Sequence, residues 1–261
     1  MQSRSFIVYT LGFSAAVCIV CAVLVSTSAE LLRDRQQANI EIDRQRNVLM
    51  AAGTVKNAAR LSSDEIERHF SAFTVAAVDL RTGEEDPNFE ITGYDARAAL
   101  SDQSTSRTAP SNNAQIQRLP NYVLVYKQFS DLEKIELIVL PIEGMGLWGT
   151  LYGFLALDSD FTTIQGLTYY EHKETPGLGG EVDNLKWQAL WPGRKAFDAQ
   201  GTPIIAVARG LAGTPQEDPH RVDGLSGATI TSRGITNMLQ FWLGEHGYGP
   251  YLEQLKEGTN G

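Results

Sequence analysis

The chain has 261 residues, 43% of them hydrophobic and 20% charged, and a formal net charge of −9. That is enough for one large domain or two small ones around a real core, with the composition of a globular protein. A surface this acidic argues against a nucleic-acid partner.

The N-terminus differs from the rest. From Ser5 to Ala29 there are 25 positions without a charge, and about 20 suffice for a helix to cross a bilayer. The competing reading is a cleaved signal peptide, since "STSA" at Ser26–Ala29 offers small residues. The apolar run exceeds the roughly 7–15 residues of a signal core, which favours a retained anchor. No polar face interrupts it, which counts against a buried core helix. Arg4 precedes the span, and Arg33, Arg35, Arg44 and Arg46 follow it among acidic residues. Counting Lys and Arg weakly places the C-terminal side in the cytoplasm, but large domains translocate regardless of such charge, so charge does not settle the topology. Cys18 and Cys21 lie inside the span on one helix face and read as small lipid- or helix-facing residues. Beyond it there is no cysteine, hence no disulfide framework and no cysteine-based metal or iron–sulfur site.

Leu31 to Met50 continues the helix, with Gly53 as its stop. "SSDEIERHFSAF" reads as a short helix, with Ser62 and Glu65 spaced as a capping box. "TVAAVDLRTGE" reads as a strand into a Thr-Gly turn. Ser101 to Gln117 is polar and reads as a long surface loop or insertion. Tyr122–Phe129 and Ile135–Ile142 form a hairpin pattern, and Gly144–Asp158 and Thr163–Glu174 continue the β-rich region. Such close spacing implies antiparallel pairing, since a parallel crossover needs about a dozen residues. Asn184–Trp191 looks helical and stops at Pro192-Gly193; "TPIIAVARG" reads as a strand. Thr231 or Ser232 can cap a last helix with Ile235, Met238, Leu239 and Trp242 on one face. The expected class is α+β: one N-terminal transmembrane helix, then a mixed, largely antiparallel sheet domain with helices. The expected divisions are an anchor at 1–30, a helical connector at 31–60 and a soluble domain at 61–261.

Hydrolytic and metal chemistry find no support. No Ser-His-Asp arrangement stands out, no catalytic residue is assigned, and His69, His172, His220 and His246 lack metal spacing and read as exposed or satisfied surface residues. "GLGG" at Gly177–Gly180 lacks the Gly-x-Gly-x-x-Gly pattern and reads as a tight turn. The stretch "VDGLSGATITSRGI" carries more. Ser226, Thr229, Thr231 and Ser232 cluster at a helix N-terminus, where free N–H groups and the helix dipole favour an anion such as phosphate. Gly224 and Gly227 permit close backbone approach. The plainer alternative is a helix cap with turn glycines.

"DGLSGATITS" (Asp223–Ser232) resembles the flavinylation motif, Asp-x-x-Ser-Gly-Ala-Thr, of FMN-binding subunits in bacterial respiratory complexes. "GMGLWG" (Gly144–Gly149), "GLTYYEHKETPGLGGEV" (Gly166–Val182) and "FWLGEHGYGPYL" (Phe241–Leu252) resemble, in the same order, the NqrC family, the C subunits of Na+-translocating NADH:quinone reductases, as does the single N-terminal span. The likeness covers nearly the whole chain and is weakest at Ser101–Gln117. It implies FMN held covalently by a phosphoester to Thr229 and installed by a flavin transferase. Asp223, Ser226, Gly227 and Ala228 are the other motif positions. It further implies a ring slot drawing on Thr175, Gly177, Leu178 and Gly179, with Leu147 and Trp148 as second choices; Trp148 reads equally as a core aromatic. The implied role is an electron relay in a Na+-pumping NADH:ubiquinone reductase, between a membrane iron–sulfur centre and the FMN of the B subunit. The membrane-embedded D and E subunits would be further partners, with NADH and quinone bound elsewhere in the complex. The implied location is the bacterial inner membrane, single-pass, with the soluble domain in the periplasm. Two alternatives remain: the homologous flavin protein of a ferredoxin:NAD oxidoreductase (Rnf) complex, and a membrane-anchored module that binds a ligand noncovalently.

Overall fold

The computed structural model describes residues 2–55 and 60–259. By internal contacts it divides into two units, Met1–Arg44 and Gln45–Gly261. The described residues of the first are helical throughout. They belong to α1 (Gln2–Ala52), whose stretch Phe6–Arg33 has a mean hydropathy of 2.4 and is long and apolar enough to cross a membrane. Its apolar side chains point outward, as a bilayer-facing helix requires. This fits a single-pass anchor.

In the second unit the last turns of α1 turn inward, with Val48, Leu49, Ala51 and Ala52 buried. Gly53, at φ +66°, ends the helix. In α2 (Ser63–Phe70) the Glu65 carboxylate accepts both the N–H and the hydroxyl of Ser62, at 2.9 and 2.8 Å. The chain then enters β1 (Phe73–Asp79) and β2 (Glu84–Glu85), the one-turn helix α3 (Ala96–Ala99), and the short pair β3 (Ser106–Thr108) and β4 (Arg118–Pro120). β5 (Tyr122–Phe129), β6 (Ile135–Met145), β7 (Thr150–Asp158) and β8 (Ile164–Glu171) follow as a meander. The six-stranded sheet has the order β2-β1-β5-β6-β7-β8, with every neighbouring pair antiparallel.

Both faces of this sheet are covered, which is why β6 and β7 read as almost unbroken apolar runs. One face carries Val125, Ile138, Leu140, Leu155 and Leu167, which pack against the C-terminal helices. The other carries Tyr126 and Phe154, whose rings lie 5.9 Å apart, with Phe70 of α2 edge-on to Tyr126 at 5.8 Å. The end of α1 covers the same face: a Cβ on Gly166 of β8 would overlap the Ala51 carbonyl.

After β8 come a 3-10 turn at Gly179–Asp183, the one-turn helix α4 (Leu185–Gln188), and the parallel pair β9 (Ala206–Val207) and β10 (Arg221–Val222). α5 (Thr229–Leu243) and α6 (Gly249–Thr259) close the chain. Ile235, Met238, Leu239 and Trp242 of α5 are buried in the main core, as their spacing implies. A Cβ on Gly144 would stand 2.6 Å from Met238 Cβ, so α5 lies directly on the end of β6.

Three expectations need correction. Residues 101–117 are not a plain surface loop. They contain β3, bury Ala114 and Ile116, and brace the end of β6 through a 3.1 Å bond from the Met145 N–H to the Ala114 carbonyl. Their polarity serves internal bonds instead, such as Asn112, which both donates to and accepts from the Ile116 backbone. "TPIIAVARG" is strand only at Ala206–Val207, because Ile204 and Ile205 give their N–H groups to the Ala196 carbonyl instead of a ladder. Finally, Thr231 and Ser232 do not cap α5, which begins two residues earlier, after Ala228.

Candidate functional site

The segment leading into α5 is fixed from behind. Asp223 Oδ1 accepts the Ala212 N–H at 2.8 Å, and the Asp223 carbonyl accepts the Trp187 indole N–H at 2.8 Å. The Gly224 N–H reaches the Gly210 carbonyl at 2.8 Å, and the Leu225 N–H reaches Ser232 Oγ at 3.2 Å. Gly227, at φ +69°, then makes the turn that delivers Ala228 and Thr229.

The four hydroxyls of this stretch are sorted by that path. Ser226 and Thr229 are exposed, while Thr231 and Ser232 are buried. Ser232 holds the Leu225 backbone, and Thr231 donates to Glu174 Oε2 at 2.5 Å. The hydrogen bond from the Ser232 N–H to the Ala228 carbonyl, at 2.9 Å, opens the helix. The N–H groups of Thr229, Ile230 and Thr231 precede it and lie outside the helix ladder. An exposed hydroxyl therefore sits where the helix is most positive.

Two further segments meet this helix start. In "ETPGLGG" the Thr175 carbonyl accepts the N–H groups of Leu178 and Gly180, at 3.1 and 2.9 Å, and Gly177 turns at φ +76°. The side chain of Leu178, 44% exposed, lies over the turn: a Cβ on Gly227 would be 2.9 Å from Leu178 Cδ2. The turn at Gly146–Gly149 presents Leu147 and Trp148, 41% and 64% exposed. Trp148 is thus a surface side chain and not a core aromatic. Thr175 and Gly177 are exposed beside Leu178, and Gly179 is buried behind them.

Sequence reasoning missed the residue that joins these pieces. Glu174 is only 5% exposed. Its Oε1 accepts the N–H groups of Leu147 and Trp148, both at 2.9 Å, and its Oε2 accepts the Thr231 hydroxyl. The signal was a single carboxylate entering a glycine-rich turn, but its partners lie 27, 26 and 57 residues away. His172 supports the same turn. Its Nδ1 accepts the Glu174 N–H at 3.2 Å and its Nε2 pairs with Asp183 at 2.8 Å.

A cavity of about 330 Å³ lies at the β6–β7 end, lined among others by Arg118, Glu143, Met145 and Tyr152. Burial raises the Glu143 carboxyl above its ordinary range, against the pull of Arg97. None of the candidate flavin-site residues lines it.

The donor set around Thr229 fits FMN. Three N–H groups at a helix start suit a phosphate. The exposed apolar side chains of Leu147, Trp148, Leu178 and Ile230 suit a flat aromatic ring with few polar contacts.

Comparison with known proteins agrees with that chemistry. The FMN-binding domain family matches residues 146–244. The C subunit of the Na(+)-translocating NADH-quinone reductase of Yersinia pestis is 42% identical over 96% of this chain and 93% of its own length. That of Pseudomonas aeruginosa is 40% identical over 99% of both. A crystal structure of Shewanella oneidensis NqrC superposes with a TM-score of 0.74 at 36% identity, covering 82% of this chain and 96% of that one.

Proposed function

The chain belongs to the NqrC family, the C subunits of Na(+)-translocating NADH-quinone reductases, and from that premise we propose that it is the flavin-bearing electron-transfer component of such a complex, with FMN joined to Thr229. The observation that carries this reading is the exposed Thr229 hydroxyl at the start of α5, in Asp-x-x-Ser-Gly-Ala-Thr context, with unused helix N–H groups beside it.

A phosphoester to the threonine hydroxyl leaves a phosphodiester with one negative charge, which the helix start receives. Leu178, Leu147, Trp148 and Ile230 provide the apolar rim for the ring, and Thr175 and Gly177 lie at its edge. The FMN supplies one-electron transfer; the chain supplies attachment, orientation and the environment that sets its potential. Asp223 and Ser226, with Gly227 and Ala228, form the mark read by the flavin transferase that installs the group. Identity to sodium-pump proteins over nearly the full length favours this role over that of the flavin protein of an Rnf-type ferredoxin:NAD oxidoreductase.

The electron partners are the FMN-bearing B subunit and the membrane-embedded D and E subunits. Residues 1–30 anchor the chain in the inner membrane, 31–60 connect, and 61–261 carry the flavin on the periplasmic side. The test is denaturing electrophoresis of the full chain co-expressed with a flavin transferase. A band at 28.6 kDa that fluoresces under ultraviolet light is expected for the wild type and absent for Thr229→Ala. A fluorescent Thr229→Ala band would overturn the attachment point, and a dark wild-type band would favour noncovalent binding.

A further inference from the structure

We infer that Glu174 is the positioning residue of the flavin site: its buried carboxylate locks the Leu147–Trp148 turn, the Leu178 turn and the first turn of α5 into one geometry before any flavin arrives. The inference rests on the functional reading above for its purpose, but not for its geometry.

Three segments far apart in sequence must present one surface. Backbone–backbone bonds do not join the Gly146–Gly149 turn to the start of α5 among the described residues. The carboxylate makes that connection. Oε1 takes both N–H groups of the turn, at 2.9 Å each, and so fixes the peptide planes from which Leu147 and Trp148 project. Oε2 takes the Thr231 hydroxyl at 2.5 Å and so fixes the helix turn that carries Thr229. Glu174 itself opens the turn that carries Leu178.

A second, steric observation points the same way. A Cβ on Gly146 would come within 2.6 Å of Glu174 Oε1. A Cβ on Gly179 would come within 2.5 Å of Oε2 and 2.7 Å of Thr231 Oγ1. Neither glycine has a positive φ, so neither is needed for its backbone conformation. They are small because the carboxylate, together with Leu151 Cδ1 at 2.6 Å from the Gly146 position and Thr231 at Gly179, occupies the volume their side chains would take. A polar group buried this deeply persists only where hydrogen bonds replace its water, and here they come from the turn and the helix the site requires.

The test uses the full-length chain in detergent, prepared with and without a co-expressed flavin transferase, as wild type, Glu174→Ala, Glu174→Gln and Thr231→Val. Without flavin, amide hydrogen exchange of residues 145–149 is expected to be at least tenfold faster in Glu174→Ala, with residues 150–158 unchanged. Glu174→Gln keeps an acceptor for both N–H groups and should stay near wild type. Thr231→Val leaves the Oε1 bonds in place, so its 145–149 exchange should also stay near wild type. With flavin, iodide should quench the attached ring more readily in Glu174→Ala and Thr231→Val than in wild type or Glu174→Gln. Unchanged exchange at 145–149 in Glu174→Ala overturns the inference. So does a Glu174→Gln chain as damaged as Glu174→Ala, since charge and not position would then matter. If Glu174→Ala unfolds globally, Thr231→Val decides: wild-type quenching there overturns the link to α5. A wild-type chain without covalent flavin would sink the functional reading while the exchange data still judge the clamp.

Discussion

Gly234 of α5 sits so close to the Met145 carbonyl that a Cβ on the glycine would overlap the oxygen. The helix that begins at Thr229 is thereby seated on the backbone of β6 without an intervening side chain. One turn further on, Met238 packs over Gly144. Seat and attachment point belong to one rigid element, so a shift at Gly234 is a shift at Thr229.

Gly234→Ala tests this seat. In a free helix alanine is favoured over glycine by about 1 kcal/mol, but overpacking a tight site costs ~1–3 kcal/mol, and a backbone carbonyl inside a sheet yields little. We expect a lower midpoint in urea and a reduced yield of covalent flavin. A stabilised Gly234→Ala chain would show that the helix can rise off the strand freely.

Asp223 has two separable duties, since it holds the Ala212 N–H and also stands in the flavinylation motif. Asp223→Ala leaves a part-buried donor without its acceptor, at a cost of ~1–3 kcal/mol. Asp223→Asn keeps an oxygen for that bond and should melt near the wild-type temperature. If the transferase reads the carboxylate, Asp223→Asn nevertheless loses flavin attachment. Full attachment in a well-folded Asp223→Asn chain would confine the residue to bracing the loop.

Trp148→Ala and Leu178→Ala alter exposed side chains and should change stability by no more than about 0.5 kcal/mol. Both should still accept flavin at Thr229, because neither touches the motif hydroxyls. The attached ring should become more accessible to solvent, read as a red-shifted emission and a changed midpoint potential. An unaltered flavin in both variants would move the ring slot elsewhere.

Asp160 gives a pH signature away from the site. Burial raises its carboxyl, but the hydroxyl and N–H of Thr163, the N–H of Thr162 and the Lys195 ammonium outweigh this and bring it down to about 2, from 3.8. A folded-state value below the unfolded one contributes stability that is fully present above the unfolded pKa and fades as pH falls through the folded one. Asp160→Asn should therefore melt below the wild type at neutral pH. The gap should close between about pH 4 and pH 2. A gap that persists at the acid end would mean that the charge of Asp160 does not stabilise the turn between β7 and β8.

The elements were legible where periodicity is local. The helix face of Ile235, Met238, Leu239 and Trp242 and the strand spacing from Tyr122 to Glu171 depend on neighbours three or four residues away, or across a tight turn. What escaped depends on partners distant in sequence. The start of α5 was misjudged because Thr231 and Ser232, good capping residues by type, spend their hydroxyls on Glu174 and Leu225. The polar stretch 101–117 hid two buried apolar residues, Ala114 and Ile116, among side chains that satisfy their own loop. The Glu174 carboxylate has no partner near it in sequence that marks it as buried. At the candidate site, the motif residues came from resemblance, while the way they are held came only from the three-dimensional arrangement.

The interlock of Gly146, Glu174 and Gly179 also constrains how such a chain can change over time. An alanine at Gly146 would meet Leu151 as well as the carboxylate, and one at Gly179 would meet the Thr231 hydroxyl as well. Substitutions at these positions are thus coupled: loss of the glutamate alone releases neither glycine, because a second neighbour still fills the space. Among descendants of a common ancestor, the three positions should be kept together or lost together, and a larger residue at Gly179 should come with a change at Thr231 as well as at Glu174.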